Sequence, residues 1–252
     1  MGGTHDLVRA SFHRGGPIGC LLVHGFTCSP LSVKPLAHNL IQKGFTISSI
    51  LLPGHGTIPE AMAGIRGQDW LDAVQAGLAE LQQTCQRVWL VGFSMGGVLA
   101  LVTAARQPVE GLVTIAAPVW PRPWQTRLAW LFKFSKAYIP MRGKRDFQVP
   151  CFKYPRTPLS SVTELMSLIG QMRRELGEIR VPALVVQGTC DRTIMPKSAS
   201  FIYHHLGSRD KKLVWIEGGG HMLLLEDDRD CTCELITEFI SKRAEGCANG
   251  NG

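Results

Sequence analysis

Ser94 stands between two glycines in the pentad 92–96, Gly-Phe-Ser-Met-Gly, which fits the pattern G-x-S-x-G. An apolar run at 88–91 precedes it and another at 97–102 follows it. Strand, sharp turn and helix are the context that gives this pattern its chemistry. The turn crowds the serine backbone, so the residues two positions either side must be small. The hydroxyl is then held clear of the sheet, with a helix N-terminus behind it. The plainer reading is a capping serine in a glycine-rich turn. The flanking strand and helix patterns favour a nucleophile.

A serine hydroxyl is a weak nucleophile near neutral pH. It needs a base, and the base needs an orienting carboxylate. In a parallel sheet of this kind the chain order is serine, acid, histidine. Asp191 closes the stretch 185–191, directly after a strong strand pattern. Of the later histidines, His204 and His205 fall inside a helical pattern and read as surface residues. His221 follows Gly218, Gly219 and Gly220, a loop able to deliver one imidazole to a catalytic face. The competing readings are a turn aspartate that caps the next helix, and a loop histidine packed on Met222 and Leu223.

An acyl-transfer reaction also requires an oxyanion hole. Two fixed backbone N–H donors hold the charge of the tetrahedral intermediate, each contributing roughly 3 kcal/mol. Met95, immediately after the serine, is one candidate. The early loop at 24–27 supplies the other, and Phe26 N–H is the choice there. His24 precedes the base in the wrong order and reads as structural. His55, in Pro-Gly-His-Gly at 53–56, reads as a loop-shaping residue. A dehalogenase or epoxide hydrolase on such a scaffold would carry Asp at position 94, so Ser94 argues against both. No G-x-G-x-x-G or phosphate loop is present, and no nucleotide cofactor is implied.

These residues need elements to position them. Apolar runs at 18–23, 45–51, 88–91, 111–115, 183–187 and 213–216 suit buried parallel strands. Helical patterns lie at 30–42, with Ser29 as its cap, at 70–81, with Asp69 at the N-cap, and at 95–106, 196–206 and 229–243. Strands alternating with helices predict a parallel sheet covered on both faces, with catalytic loops at the carboxyl ends of the strands. The alternation breaks at 119–178, which ends in a helical pattern over 160–176. The fold expected is α/β: a core at 1–118 and 179–245, an inserted cap at 119–178, and a flexible tail at 246–252. There is no internal repeat.

At 252 residues the chain can bury one large core, and its 45% hydrophobic content is ordinary for a globular enzyme. No apolar run reaches the roughly 18 residues of a membrane span. Residues 1–9 lack a basic stretch followed by an apolar one, so the expected location is cytoplasmic. The eight cysteines are scattered, with no C-x-x-C pair. Cys231 and Cys233 are two apart on a helical pattern and point in different directions. Reduced thiols are expected and a metal site is not. The net charge is +7, but from 120 to 156 nine Lys or Arg face one acid, leaving the rest of the chain at −1. That describes one basic module. No nucleic-acid motif accompanies it, so nucleic acid is not expected as a partner.

Here a resemblance emerges. The chain resembles the α/β-hydrolases, in particular bacterial carboxylesterases and monoacylglycerol lipases. The shared segments are Leu-Leu-Val-His-Gly-Phe-Thr at 21–27, Leu-Pro-Gly-His-Gly at 52–56, Gly-Phe-Ser-Met-Gly-Gly at 92–97, Gly-Thr-Cys-Asp at 188–191, and Gly220-His221. They run in the family's order and spacing over nearly the whole chain. The stretch 165–225 is also similar to the thermostable carboxylesterase branch. The resemblance implies nucleophile, acid and base at Ser94, Asp191 and His221, and oxyanion donors at Phe26 and Met95. The cap resembles the family least, so substrate range is what the resemblance specifies least.

Within 120–134, Trp120, Trp124, Leu128, Trp130, Leu131, Phe132 and Phe134 interleave with Arg122, Arg127 and Lys133. One reading is an amphipathic lid over an acyl-chain pocket, its cations facing water or an anionic lipid surface. The plainer reading is a lid whose charges are simply solvated. Burying an acyl chain gains about 0.8 kcal/mol per methylene, and short- to medium-chain esters are the expected small-molecule substrates. A thioesterase or an acyltransferase would use the same three residues. A non-catalytic ligand-binding hydrolase homologue is the remote alternative.

Overall fold

The computed structural model describes residues 8–121, 138–140 and 151–246. A short strand, β1 (Ser11–His13), lies at one edge of the sheet and runs antiparallel to β3 (Thr46–Ile50). The remaining strands are parallel: β2 (Ile18–Val23), β4 (Arg87–Phe93), β5 (Gly111–Ile115), β8 (Ala183–Gly188) and β9 (Lys211–Ile216). The seven-stranded order is β1-β3-β2-β4-β5-β8-β9. Two more strands, β6 (Tyr138–Pro140) and β7 (Arg156–Pro158), form an antiparallel pair between β5 and β8.

The central strands are mostly apolar because both faces are covered. Along β2, Leu21 and Val23 join the core formed with α2 (Gly67–Thr84), α3 (Met95–Ala104) and α4 (Leu159–Glu175). Cys20 and Leu22 point to the opposite core, formed with α1 (Lys34–Gln42) and α6 (Arg229–Gly246). Alternation within one strand therefore feeds two cores, and the strand reads as a continuous apolar run. The helix α5 (Lys197–His205) joins the first core through Ala199 and Ile202. All ten residues of α3 are buried. No helix among the described residues is long and apolar enough to cross a membrane.

Several expected details shift. The helical pattern at 30–42 divides into a 3₁₀ turn, Pro30–Val33, and α1. Ser29 gives that turn no side-chain cap; its carbonyl instead accepts from the N–H and hydroxyl of Ser32. The helix α2 begins three residues earlier than its apolar periodicity suggests. Asp69 is therefore its third residue, not its cap, and accepts from Arg66 N–H at 2.8 Å. On α6, Cys231 is exposed and Cys233 buried, which matches their divergent spacing. His204 and His205 lie exposed on α5, as expected.

Candidate active site

Ser94 sits between the end of β4 and the start of α3, at φ 53° and ψ −117°. Such a backbone conformation is rare for a residue with a side chain. Close approach on both sides maintains it. A Cβ on Gly92 would lie 2.2 Å from Gly96 O, and one on Gly96 would lie 2.1 Å from Val23 O. Both positions must be glycine, which is the steric meaning of the G-x-S-x-G pattern. Ser94 N–H donates to Ile115 O at 2.8 Å and ties the turn to β5.

The structure brings His221 and Asp191 to this turn. His221 Nε2 lies 3.1 Å from Ser94 Oγ, and His221 Nδ1 lies 2.8 Å from Asp191 Oδ2. Asp191 is 1% exposed, and Ser94 and His221 are each 8% exposed. A carboxylate can only accept, so Nδ1 carries the proton and Nε2 is free to accept from the serine hydroxyl. Burial acts to raise the Asp191 carboxyl, but hydrogen bonds from His221 and from the Ile194 and Thr193 N–H groups hold it below its usual value. Those two backbone bonds, at 3.0 and 2.7 Å, make Asp191 a turn aspartate as well, but not the helix cap of the competing reading, since α5 starts at Lys197 with Pro196 at its N-cap.

The loops carrying these groups are cross-tied. Cys190 N–H donates to Gly219 O at 2.9 Å, and Gly220 N–H donates to Glu226 Oε2 at 2.9 Å. Gly218 supplies the positive φ of 74° that the histidine loop needs. The ring of Phe93 packs beside His221 with centroids 5.3 Å apart. Sequence reasoning missed Gln187. It is fully buried at the end of β8, and its amide donates to Asp191 Oδ2 at 3.0 Å. The available signal was a polar residue closing an otherwise apolar strand.

Phe26 lies on the loop after β2 and lines a cavity beside Ser94. Its ring meets Trp70 at 5.9 Å and His55 at 6.2 Å. Met95 is the first residue of α3, where a helix leaves its N–H groups without intrahelical partners. His24 is structural: its Nε2 accepts from Leu52 N–H at 3.1 Å and its Nδ1 donates to Gly25 O at 2.9 Å. Burial pushes its imidazole down to about 3, and proximity to His55 acts in the same direction. His55 shapes its loop by donating to Pro53 O at 3.0 Å.

Tyr154 also escaped the sequence reading. Its N–H donates to Thr27 O, its hydroxyl donates to Gly54 O at 2.9 Å and accepts from Thr57 N–H at 3.0 Å. Its ring stacks on His55. The cavity occupies about 150 Å³ and is lined chiefly by apolar side chains, including Ile139, Val162, Leu165, Met166 and Ile169. Lys153 and Thr157 also line it. Trp120 packs against Phe201 at 5.1 Å, and its neighbour Pro121 lines the cavity. Trp124, Leu128, Trp130, Leu131, Phe132 and Phe134 lie outside the described residues, as do Arg122, Arg127, Lys133, Lys136, Arg142, Lys144, Arg145 and the tail at 247–252.

A serine, an imidazole and a carboxylate in this order of contact can carry out nucleophilic acyl transfer. The family model described as "Serine aminopeptidase, S33" matches residues 19–228. The chain belongs to this S33 hydrolase family. Its fold is the α/β-hydrolase fold, and it is a serine hydrolase. A thermostable monoacylglycerol lipase of Bacillus sp. (strain H-257) is 33% identical to this S33 hydrolase, over 92% of the chain and 94% of the relative. A carboxylesterase of Bacillus subtilis is 29% identical, over 91% and 94%. A solved structure described under LipS and LipT, two metagenome-derived lipolytic enzymes, superposes with a TM-score of 0.88 at 29% identity, covering 93% of this chain and 98% of that one.

Proposed function

We propose that this S33 hydrolase is a carboxylesterase that cleaves short- to medium-chain carboxylic esters, monoacylglycerols among them. The observation that carries the reading is the run of contacts from Asp191 through His221 to Ser94, opening on an apolar cavity. Ser94 attacks the ester carbonyl while His221 takes its proton. The N–H groups of Phe26 and Met95 hold the oxyanion. His221 then protonates the leaving alcohol, and water repeats the sequence to release the acid. Asp191 fixes the imidazole and stabilises its cation. Because the base acts in its neutral form, activity falls on acidification.

The size of the cavity supports short to medium chains. Apolar cavities of roughly 150 Å³ accommodate a ligand the size of benzene. The family description names an aminopeptidase, which must bind a substrate α-ammonium. The ionisable groups described at this cavity include the cationic Lys153, which repels such a group. The similarity to a carboxylesterase and a monoacylglycerol lipase supports the ester reading. We also place the protein in the cytoplasm, on seven cysteines that are free in the described residues.

The test compares 4-nitrophenyl butyrate, ethyl thiobutyrate and leucine 4-nitroanilide, with and without glycerol. The reading expects the oxygen ester to have the highest kcat/KM and butyrate to be the product. Faster thioester cleavage would make the protein a thioesterase. Butyryl glycerol as the main product would make it an acyltransferase. Faster anilide cleavage would make it a peptidase.

A further inference from the structure

Lys153 immediately precedes Tyr154 and Thr157 follows it by three residues, and both line the cavity beside Ser94. Thr157 is buried, and its Oγ1 has no hydrogen-bond partner among the described residues. A buried hydroxyl left alone is destabilising, and the cavity it lines gives a partner somewhere to sit. Lys153 is exposed and brings a cationic side chain to the lining. That charge acts on the thiols of Cys28 and Cys151. Lys153 has no carboxylate partner among the described residues. The nearby Arg156, by contrast, is taken up by Glu60 and by the face of Tyr138.

The position of this polar pair is held. Tyr154 N–H is bonded to Thr27 O, and its hydroxyl spans Thr57 N–H and Gly54 O. The wall contributed by α4, through Val162, Leu165, Met166 and Ile169, is apolar. Lys153 is exposed, so water screens its pull on an anion, but a hydrogen bond between ionic partners is still roughly twice as strong as a neutral one.

We infer that the ester substrate carries an anionic group, a carboxylate or a phosphate, which Lys153 binds while the Thr157 hydroxyl bonds a neutral oxygen beside it. This deepens the esterase reading and rests on it. The bond cleaved and the steps at Ser94 are unchanged; the substrate class becomes esters with an anionic acyl or alcohol part.

Two matched pairs of substrates test it at low salt. One is 4-nitrophenyl hydrogen glutarate against its methyl ester, with a carboxylate on the acyl side. The other is 1-butyryl glycerol 3-phosphate against monobutyrin, with a phosphate on the alcohol side. In at least one pair the anionic member should have the higher kcat/KM, and which pair does so identifies the group and its side. Lys153→Met should lower the anionic-to-neutral ratio about tenfold, Lys153→Glu should invert it, and Lys153→Arg should keep it. Thr157→Val should raise KM for the preferred ester, with Thr157→Ser restoring it. Ser94-dependent cleavage of the neutral esters with no charge preference, or a ratio unmoved by Lys153→Met, overturns this inference and leaves the esterase reading standing. No cleavage of any of the four overturns both.

Discussion

The backbone N–H of Tyr154 donates to the carbonyl of Thr27 across 3.1 Å, joining the segment before β7 to the loop that carries Phe26. Thr27 holds a left-handed backbone, φ 62°, that a residue with a branched side chain rarely adopts. The Tyr154 hydroxyl adds the 54–57 loop to the same clamp. Three segments distant in sequence thus converge on one buried tyrosine beside the proposed oxyanion site.

Tyr154→Phe keeps the ring and removes the hydroxyl. Gly54 O and Thr57 N–H then lose a partner in a half-buried setting. The expected cost is about 1–3 kcal/mol, read as a lower urea midpoint. An unchanged midpoint would mean the clamp contributes nothing to stability.

Asp191→Asn preserves shape and removes the charge that orients His221. An asparagine amide can leave the imidazole in the wrong tautomer for accepting from Ser94. The expected loss in kcat is roughly 10³- to 10⁴-fold, with a near-native circular dichroism spectrum. A loss below tenfold would remove Asp191 from the mechanism.

Gly96→Ala tests the steric basis of the turn. The added Cβ would meet backbone, Val23 O at 2.1 Å and His24 O at 2.7 Å, and neither can move aside cheaply. Destabilisation of roughly 3 kcal/mol or more is expected, with thermal unfolding as the measurement. A melting temperature within a degree or so of wild type would contradict the close approach of α3 to the end of β2.

Acid should unfold the protein through two buried histidines. Burial pushes His24 down to about 3 and His55 to about 4, from an ordinary value of 6.5; the Pro53 carbonyl partly offsets the shift of His55. Below 6.5 the unfolded chain takes up protons that the folded chain refuses. Stability is therefore complete above that value and is lost as pH falls towards 4 and then 3, at about 1.4 kcal/mol per pH unit for each group. The Asp191 carboxyl, held below its usual 3.8, adds a loss of the same sign at still lower pH. Urea midpoints near pH 7.5 and near pH 5 should differ clearly, with the acid one lower. Equal midpoints would mean these imidazoles are not held neutral.

The four central strands, β2, β4, β5 and β8, were legible because burial on both faces leaves a nearly continuous apolar run; β3, interrupted by Ser48 and Ser49, and the partly exposed edge strand β9 showed only through their remaining apolar residues. β1 was not, since all three of its residues are exposed and no alternation marks them. The β6–β7 pair was not, since each strand is three residues long and ends in proline, and Tyr138 pairs with Pro158 far along the chain. The meeting of Ser94, Asp191 and His221 in space was legible because acyl-transfer chemistry restricts both residue type and chain order. Gln187 and Tyr154 make tertiary hydrogen bonds, which local pattern does not encode. Asp69 was displaced from cap to third residue because Gly67 and Gln68, neither of them apolar, already belong to α2.

The most direct test is hydrolysis of 4-nitrophenyl esters from acetate to palmitate by wild type and by Ser94→Ala. The account predicts a chain-length optimum at short to medium acyl groups and a loss of roughly 10⁴-fold or more in the variant. Equal rates for wild type and Ser94→Ala on every ester would contradict it.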